Sequence, residues 1–441
     1  MSSRLRLPAL LLGLVLALGA CIRGGGGEAS PPPPSSAAPT ATGPTPSPVG
    51  QGSAQAALAK LCKGFGVPAP SGVKPGGPVP PAIAQVEHQV EQVRHLDFLK
   101  PVVAQPVTHA ELVNKLNGFF NEQFPGAFYD RRTRAWQTIG VIPENMSIMQ
   151  AQRNFTSGQV IGFYVPETGE LYFIGSENPS PLERLTLAHE LTHAVDDQHF
   201  VLDRLDPLSV HCRDEAGAAA VAVVEGSAQF FSVQVALQFF SLQDRLALVQ
   251  SLSQSQATPE GVPPFVMGLD TFPYTAGLVF VTALDTAGGL GGVNEALKTY
   301  PLSTEQILHP GKYPNDAPQP VDVPDLGPKL GPGWKDLDVQ DVGEEWLLEM
   351  LDLQLERNRA QAAAAGWDGG IYRAWSEGVH TAVVMNTVWD TAGDASEFSH
   401  AMNDWIGSAA RPASVRYDGG EHVTVLFASD DATLVKLQAT L

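Results

Sequence analysis

The sequence predicts an α+β protein, and three observations carry that reading. Residues 159–164 and 170–174 read as two strands, with Pro166-Glu167-Thr168-Gly169 supplying turn chemistry between them. Two long helical stretches follow, one from Ser180 and one from Asp214 to Phe240. Past residue 335 helical and strand patterns alternate again, with turn residues between them.

The chain opens on a targeting segment. Arg4 and Arg6 form a short positive region, and residues 7–18 are a nearly unbroken apolar run too short to span a bilayer comfortably. Leu18-Gly19-Ala20-Cys21 ends it and resembles the bacterial lipobox, so residues 1–20 are expected to be removed and Cys21 acylated. Acyl chains would hold the chain to a membrane, with the folded part outside the cytoplasm. Residues 21–56 are mostly Gly, Pro, Ser, Thr and Ala, too poor in large apolar side chains to offset their ordering entropy, and are expected to be a disordered tether. No second segment is expected to be transmembrane.

The rest is rich enough in apolar residues to fold. Hydrophobic residues make up 44% of 441, with a formal net charge of −20. No basic run occurs, which argues against nucleic acid as a partner. A main domain is expected over 57–335, with a C-terminal α+β region over 336–441 packed on it. With Cys21 used for lipid, Cys62 and Cys212 remain. An oxidising compartment invites a disulfide between them, two buried free thiols being the alternative.

Taken in order, apolar residues recur at Ile83, Val86, Val90, Val93 and Leu96, which predicts an amphipathic helix over 83–99. Thr108 is placed to cap a helix over 109–120. The aromatic cluster of Phe119, Phe120, Phe124, Phe128, Tyr129 and Trp136 predicts packing. After the hairpin comes Ser180-Pro181-Leu182-Glu183, with Ser as N-cap, Pro at the first helical position and Glu at the third.

That helix carries His189-Glu190-Leu191-Thr192-His193, an H-E-x-x-H pattern. Residues four apart stand one above the other on a helix face, so both imidazoles can hold one Zn²⁺. Glu190 is then placed to take a proton from a water at the metal rather than to bind the metal itself. A catalytic zinc needs a third protein ligand. Two residues compete for it. Glu225 is a lone acid after the apolar run 216–224, costly to bury without a partner. His199 completes H-E-x-x-H-x-x-D-x-x-H, a spacing that in metzincins has Gly where Asp196 stands, because the chain there turns through a positive φ. Met267 is the nearest downstream Met for such a site's Met turn. Glu225 is the preferred ligand. Asp196 and Asp197 are candidates to orient a ligand histidine.

HELTHAVDDQHF followed by VVEGSAQF resembles gluzincin-type zinc metallopeptidases. More narrowly it is similar to poorly characterised bacterial and archaeal surface lipoproteins with HELTHALQDQHF-like and EGDA-like stretches. The likeness continues in FPYTAGLVFV and STEQILHPGKY, and runs from about Val93 to Phe398. Two departures stand out: Ser227 where Asp is common, and Val195-Asp196 in place of Leu-Gln. The resemblance implies a zincin-like catalytic domain, with hairpin, H-E-x-x-H helix and second ligand helix, followed by the C-terminal α+β extension. In such peptidases a strand before the motif helix pairs with extended substrate, and 169–175 is the candidate edge. They also place a His or Tyr to hold charge on the tetrahedral intermediate; Tyr274, His309 and Tyr313 are the candidates, and His309 has a structural alternative in closing the turn capped by Ser303.

The last block is expected to hold one long helix over 342–365, a strand over 380–390, a helix over 395–406, a hairpin around Asp418-Gly419-Gly420 and a short closing helix over 430–439. Two functions are expected. One is a membrane-anchored extracytoplasmic zinc metallopeptidase acting on protein or peptide substrates. The other is a non-catalytic surface lipoprotein using the fold as a binding or assembly module.

Overall fold

In the computed structural model the described residues are 12–13, 52–62, 81–123, 126–166, 168–175, 178–205, 212–254 and 259–441. Cys21, most of the targeting segment and most of the tether lie outside them. The fold is α+β, with helices predominating over two separate sheets.

Leu12–Gly13 forms a two-residue strand, β1, inside the segment read as a signal peptide. Helix α1, Ser53–Leu61, starts inside the stretch read as tether. A distant carboxylate explains the difference: Ser53 and Ala54 donate their amides to Asp322 at 3.0 and 2.7 Å, capping the helix from across the fold. Helix α2, Pro81–Arg94, buries Ile83, Val86, Val90 and Val93, the predicted apolar stripe, but stops short of Leu99. Strand β2, Val103–Val107, was not foreseen. Helix α3, His109–Gln123, begins with the expected Thr108 cap, where Thr108 and Glu111 exchange hydrogen bonds. Helices α4, Gly126–Ile139, and α5, Ile148–Gln159, bury Tyr129, Trp136 and Phe155.

The predicted hairpin is β3, Gly162–Val165, and β4, Glu170–Ile174, paired antiparallel. The first sheet runs β1-β3-β4-β2, with β2 parallel to β4. This corrects the expected substrate edge: β4 is interior, hydrogen-bonded on both sides, and β3 lies toward the edge, flanked outside, among the described residues, by Leu12–Gly13.

The motif helix α6, Pro181–Phe200, has its complete capping box, Ser180 accepting from the Glu183 amide and Glu183 from the Ser180 amide. A short 3₁₀ turn, Leu202–Leu205, leads on to helix α7, Asp214–Phe239. Asp214 does not cap α7 as its side chain is drawn into an ion pair with Arg132 at 3.0 Å. Helix α8, Leu242–Gln254, and the 35-residue helix α9, Pro264–Lys298, follow, α9 bending at Gly289. Contrary to the sequence reading, α7 and α9 are both long and apolar enough to cross a membrane by length and composition; α7 is mostly buried inside the fold and α9 mostly is not. Helices α2, α6, α7 and α9 share one apolar core, with Leu187, Leu191, Ala194 and Val195 of α6 fully buried in it.

After the short helices α10, Thr304–Leu308, and α11, Gly327–Leu330, the chain enters a five-stranded antiparallel sheet, β5-β6-β7-β9-β8. Its strands are β5, Lys335–Asp341; β6, Trp367–Glu377; β7, His380–Trp389; β8, Ala413–Tyr417; and β9, His422–Ala428. The long helix expected over 342–365 is two, α12, Glu344–Asp352, and α13, Arg357–Ala364. Helices α14, Ala392–Ala409, and α15, Asp431–Gln438, complete the chain. Alternation along the strands gives the sheet two apolar faces. One, with Tyr372, Val383 and Phe427, packs against α4, α12, α13 and α14; the other, with Ile371, Trp375 and Leu426, packs against α1, α11 and α15. Cys62, just past α1, is disulfide-bonded to Cys212, just before α7.

Candidate metal centre

Helix α6 presents His189, Glu190 and His193 to the centre of the first core, and α7 brings Glu225 to meet them. His189 Nε2 lies 3.1 Å from Glu225 Oε2 and 3.1 Å from His193 Nε2, and His193 Nε2 lies 3.4 Å from the same carboxylate oxygen. The cluster is sealed: His189, Glu190 and His193 are 0% exposed and Glu225 is 1% exposed.

Two glycine contacts make this convergence possible. α7 crosses α9 at Gly226 and Gly277, whose main chains are too close for a Cβ on either. On the other side Gly162 of β3 lies against Glu190, where a Cβ would stand 3.2 Å from Glu190 Oε1. The base candidate is therefore set between the motif helix and the sheet.

The electrostatics favour a cation. Burial lowers the His189 imidazole to about 4 and the His193 imidazole to about 3, so both rings are neutral near pH 7. Burial raises the Glu225 carboxyl, with the bond to His189 acting against it. Each neutral ring has one N–H, and neither Nδ1 has a hydrogen-bond partner among the described residues. Two Nε2 atoms and a carboxylate oxygen thus converge on one place inside the fold. Their ligand atoms lie within 4.8 Å of one another, so the two nitrogens and one carboxylate oxygen could hold a metal ion.

His199 is not brought to this cluster. Its Nε2 lies 2.9 Å from the Asp97 carbonyl near the end of α6, because the helix continues past His193 with no turn at Asp196 to fold it back. Met267 lies within α9 and forms no turn beneath the site. The three expected charge stabilisers separate. Tyr274, on α9, stacks on His189 with ring centroids 6.4 Å apart; burial, then the charges of Glu225 and Glu190, hold its hydroxyl neutral. Tyr313 donates its hydroxyl to the Thr299 carbonyl at 2.7 Å, and His309 pairs with Glu344 at 2.9 Å. Both are occupied in structural bonds.

Asp196 and Asp197 do not bond the ligand rings through their carboxylates. Asp197 accepts from the Tyr164 hydroxyl and from the Leu202 amide, each at 2.9 Å, tying β3 and the 3₁₀ turn to α6. Asp196 accepts from Arg94 Nε and from the Ser227 hydroxyl, each at 2.7 Å, and acts on His193 only through its charge. Arg94 was missed in the sequence, where it reads as the charged end of an amphipathic helix; it is 1% exposed.

A family model described as a domain of unknown function (DUF8575) matches residues 334–439, which run from just before β5 through α15. No curated protein and no solved structure matches the chain.

Proposed function

We propose that the chain is a zinc-dependent peptidase, held to a bacterial membrane through Cys21 and acting outside the cytoplasm. The observation that carries this reading is the buried convergence of His189, His193 and Glu225 beside an intact Glu190. A purely structural metal site has no use for a carboxylate adjacent to its first ligand. The Cys62–Cys212 disulfide supports an oxidising compartment.

His189, His193 and Glu225 would hold Zn²⁺, which when bound supplies a Lewis acid for a peptide carbonyl and lowers the pKa of water. Glu190, held against Gly162, takes the proton from the attacking water and delivers it to the departing amine. Tyr274 keeps its proton, and its ring lies against that of His189. The low-dielectric surroundings strengthen each of these interactions.

One observation favours the second reading, a binding or assembly module. The cluster is closed to solvent, so a peptide can reach it only after a wall of the site moves. Metal content and cleavage of unfolded polypeptide, measured for wild type and Glu190→Gln, decide between the two. Zinc in both with cleavage lost in the variant is the expected result. Zinc in both with no cleavage by wild type would favour the module, and no zinc in wild type would overturn the peptidase and any module that holds the metal.

A further inference from the structure

We propose that Asp196 is a clamp setting the spacing of the two ligand helices, and that Ser227 and Arg94 are positioning residues acting through it. This rests on the metal reading above.

Asp196 stands three residues past His193 on α6, and Ser227 two residues past Glu225 on α7. Their 2.7 Å hydrogen bond therefore joins the ligand helices immediately beside the ligands. All the groups are buried: Asp196 is 2% exposed and Ser227 0%. The second oxygen of Asp196 receives Arg94 Nε at 2.7 Å, which adds α2 to the joint. With both oxygens bound from different helices, the carboxylate cannot rotate or shift without breaking a buried charge-assisted bond.

Arg94 makes the clamp hard to release. Its guanidinium lies over the rings of Phe231 and Phe200, at 4.7 and 5.4 Å from their centroids. Its Nη1 and Nη2 have no hydrogen-bond partner among the described residues. The Asp196 contact is thus the ion pair holding that charge in the core. A buried cation in this setting binds its carboxylate in one place and refuses alternatives. Ser227 passes that fixed position on to α7.

Such outer contacts are worth about 10- to 100-fold in metal affinity where they orient ligands. Ser227→Ala removes the α6–α7 link, leaves the Arg94–Asp196 pair and opens almost no space. Zinc affinity should fall by about 10-fold or more, with a changed visible spectrum of the Co²⁺-substituted protein, while metal-free melting stays near wild type. Ser227→Thr keeps the hydroxyl and should hold zinc within a few-fold of wild type; if its extra methyl disrupts folding, the Ala variant decides alone. Wild-type affinity and an unchanged Co²⁺ spectrum in Ser227→Ala would overturn the clamp while leaving the metal site standing. Absence of zinc from wild type would overturn both.

Discussion

Gly226 and Gly277 meet main chain to main chain: a Cβ on Gly226 would run into the Gly277 carbonyl, and one on Gly277 into that of Ala222. Glu225 is the residue before one glycine, and Tyr274 lies one helical turn before the other. The crossing therefore sets how closely the Glu225 and Tyr274 segments of the two helices approach each other. Gly277→Ala forces two backbones apart, where no side chain can yield. It should destabilise the fold by about 3 kcal/mol and lower zinc content, both read by urea unfolding and metal analysis.

With zinc held as proposed, removing it should leave a folded but less stable chain. The cluster lies among apolar side chains of four helices that form a core without it. Zinc at 1,000 times its dissociation constant adds about 4 kcal/mol. Chelator should lower the melting temperature of wild type and leave that of His193→Ala unchanged, in parallel calorimetric scans.

Stability should fall at both ends of the pH range, for identifiable reasons. Glu215, at the start of α7, accepts from the Thr304 amide and hydroxyl, and burial raises it to about 8. The folded chain therefore keeps a proton that the unfolded chain loses above about 4.5, and stability is lost as pH rises toward and through 8. Glu215→Gln should flatten this alkaline arm in melting curves taken from pH 5 to 9. In the metal-free chain the lowered His189 and His193 act oppositely, and stability is lost as pH falls below about 6.5.

The Cys62–Cys212 disulfide closes a loop of 150 residues that contains the motif helix. Cys62→Ser with Cys212→Ser should lower stability by about 2–4 kcal/mol in denaturant titrations. His189, His193 and Glu225 need not move.

The sequence was most readable where the chemistry is local. The capping box of Ser180 and Glu183, the four-residue spacing of His189 and His193, and the lone acid Glu225 in an apolar run were each visible within a few residues. What stayed hidden depends on distant partners. Strand β2 contains Pro106 and exists by pairing with β4, far along the chain. Strand β6 has no counterpart in the sequence reading, whose helix over 342–365 stops just before it. Gly369 and Gly370 are glycines because the carbonyls of Gln319 and Val342 come close to them, beside a register shift in the ladder. The two departures from the peptidase resemblance, Asp196 and Ser227, looked unrelated 31 positions apart. They are one hydrogen bond.

Arg132 of α4 reaches across to β5, where it bonds Asp338 at 2.6 Å, and Asp338 also accepts from the Tyr372 hydroxyl at 2.6 Å. Asp338 and Tyr372 belong to the 334–439 segment; Arg132 does not. A fragment cut at residue 334 would carry a buried acid into its core with its countercharge left behind. The 334–439 segment is thus an incomplete electrostatic unit, because the cation paired with its buried Asp338 comes from α4.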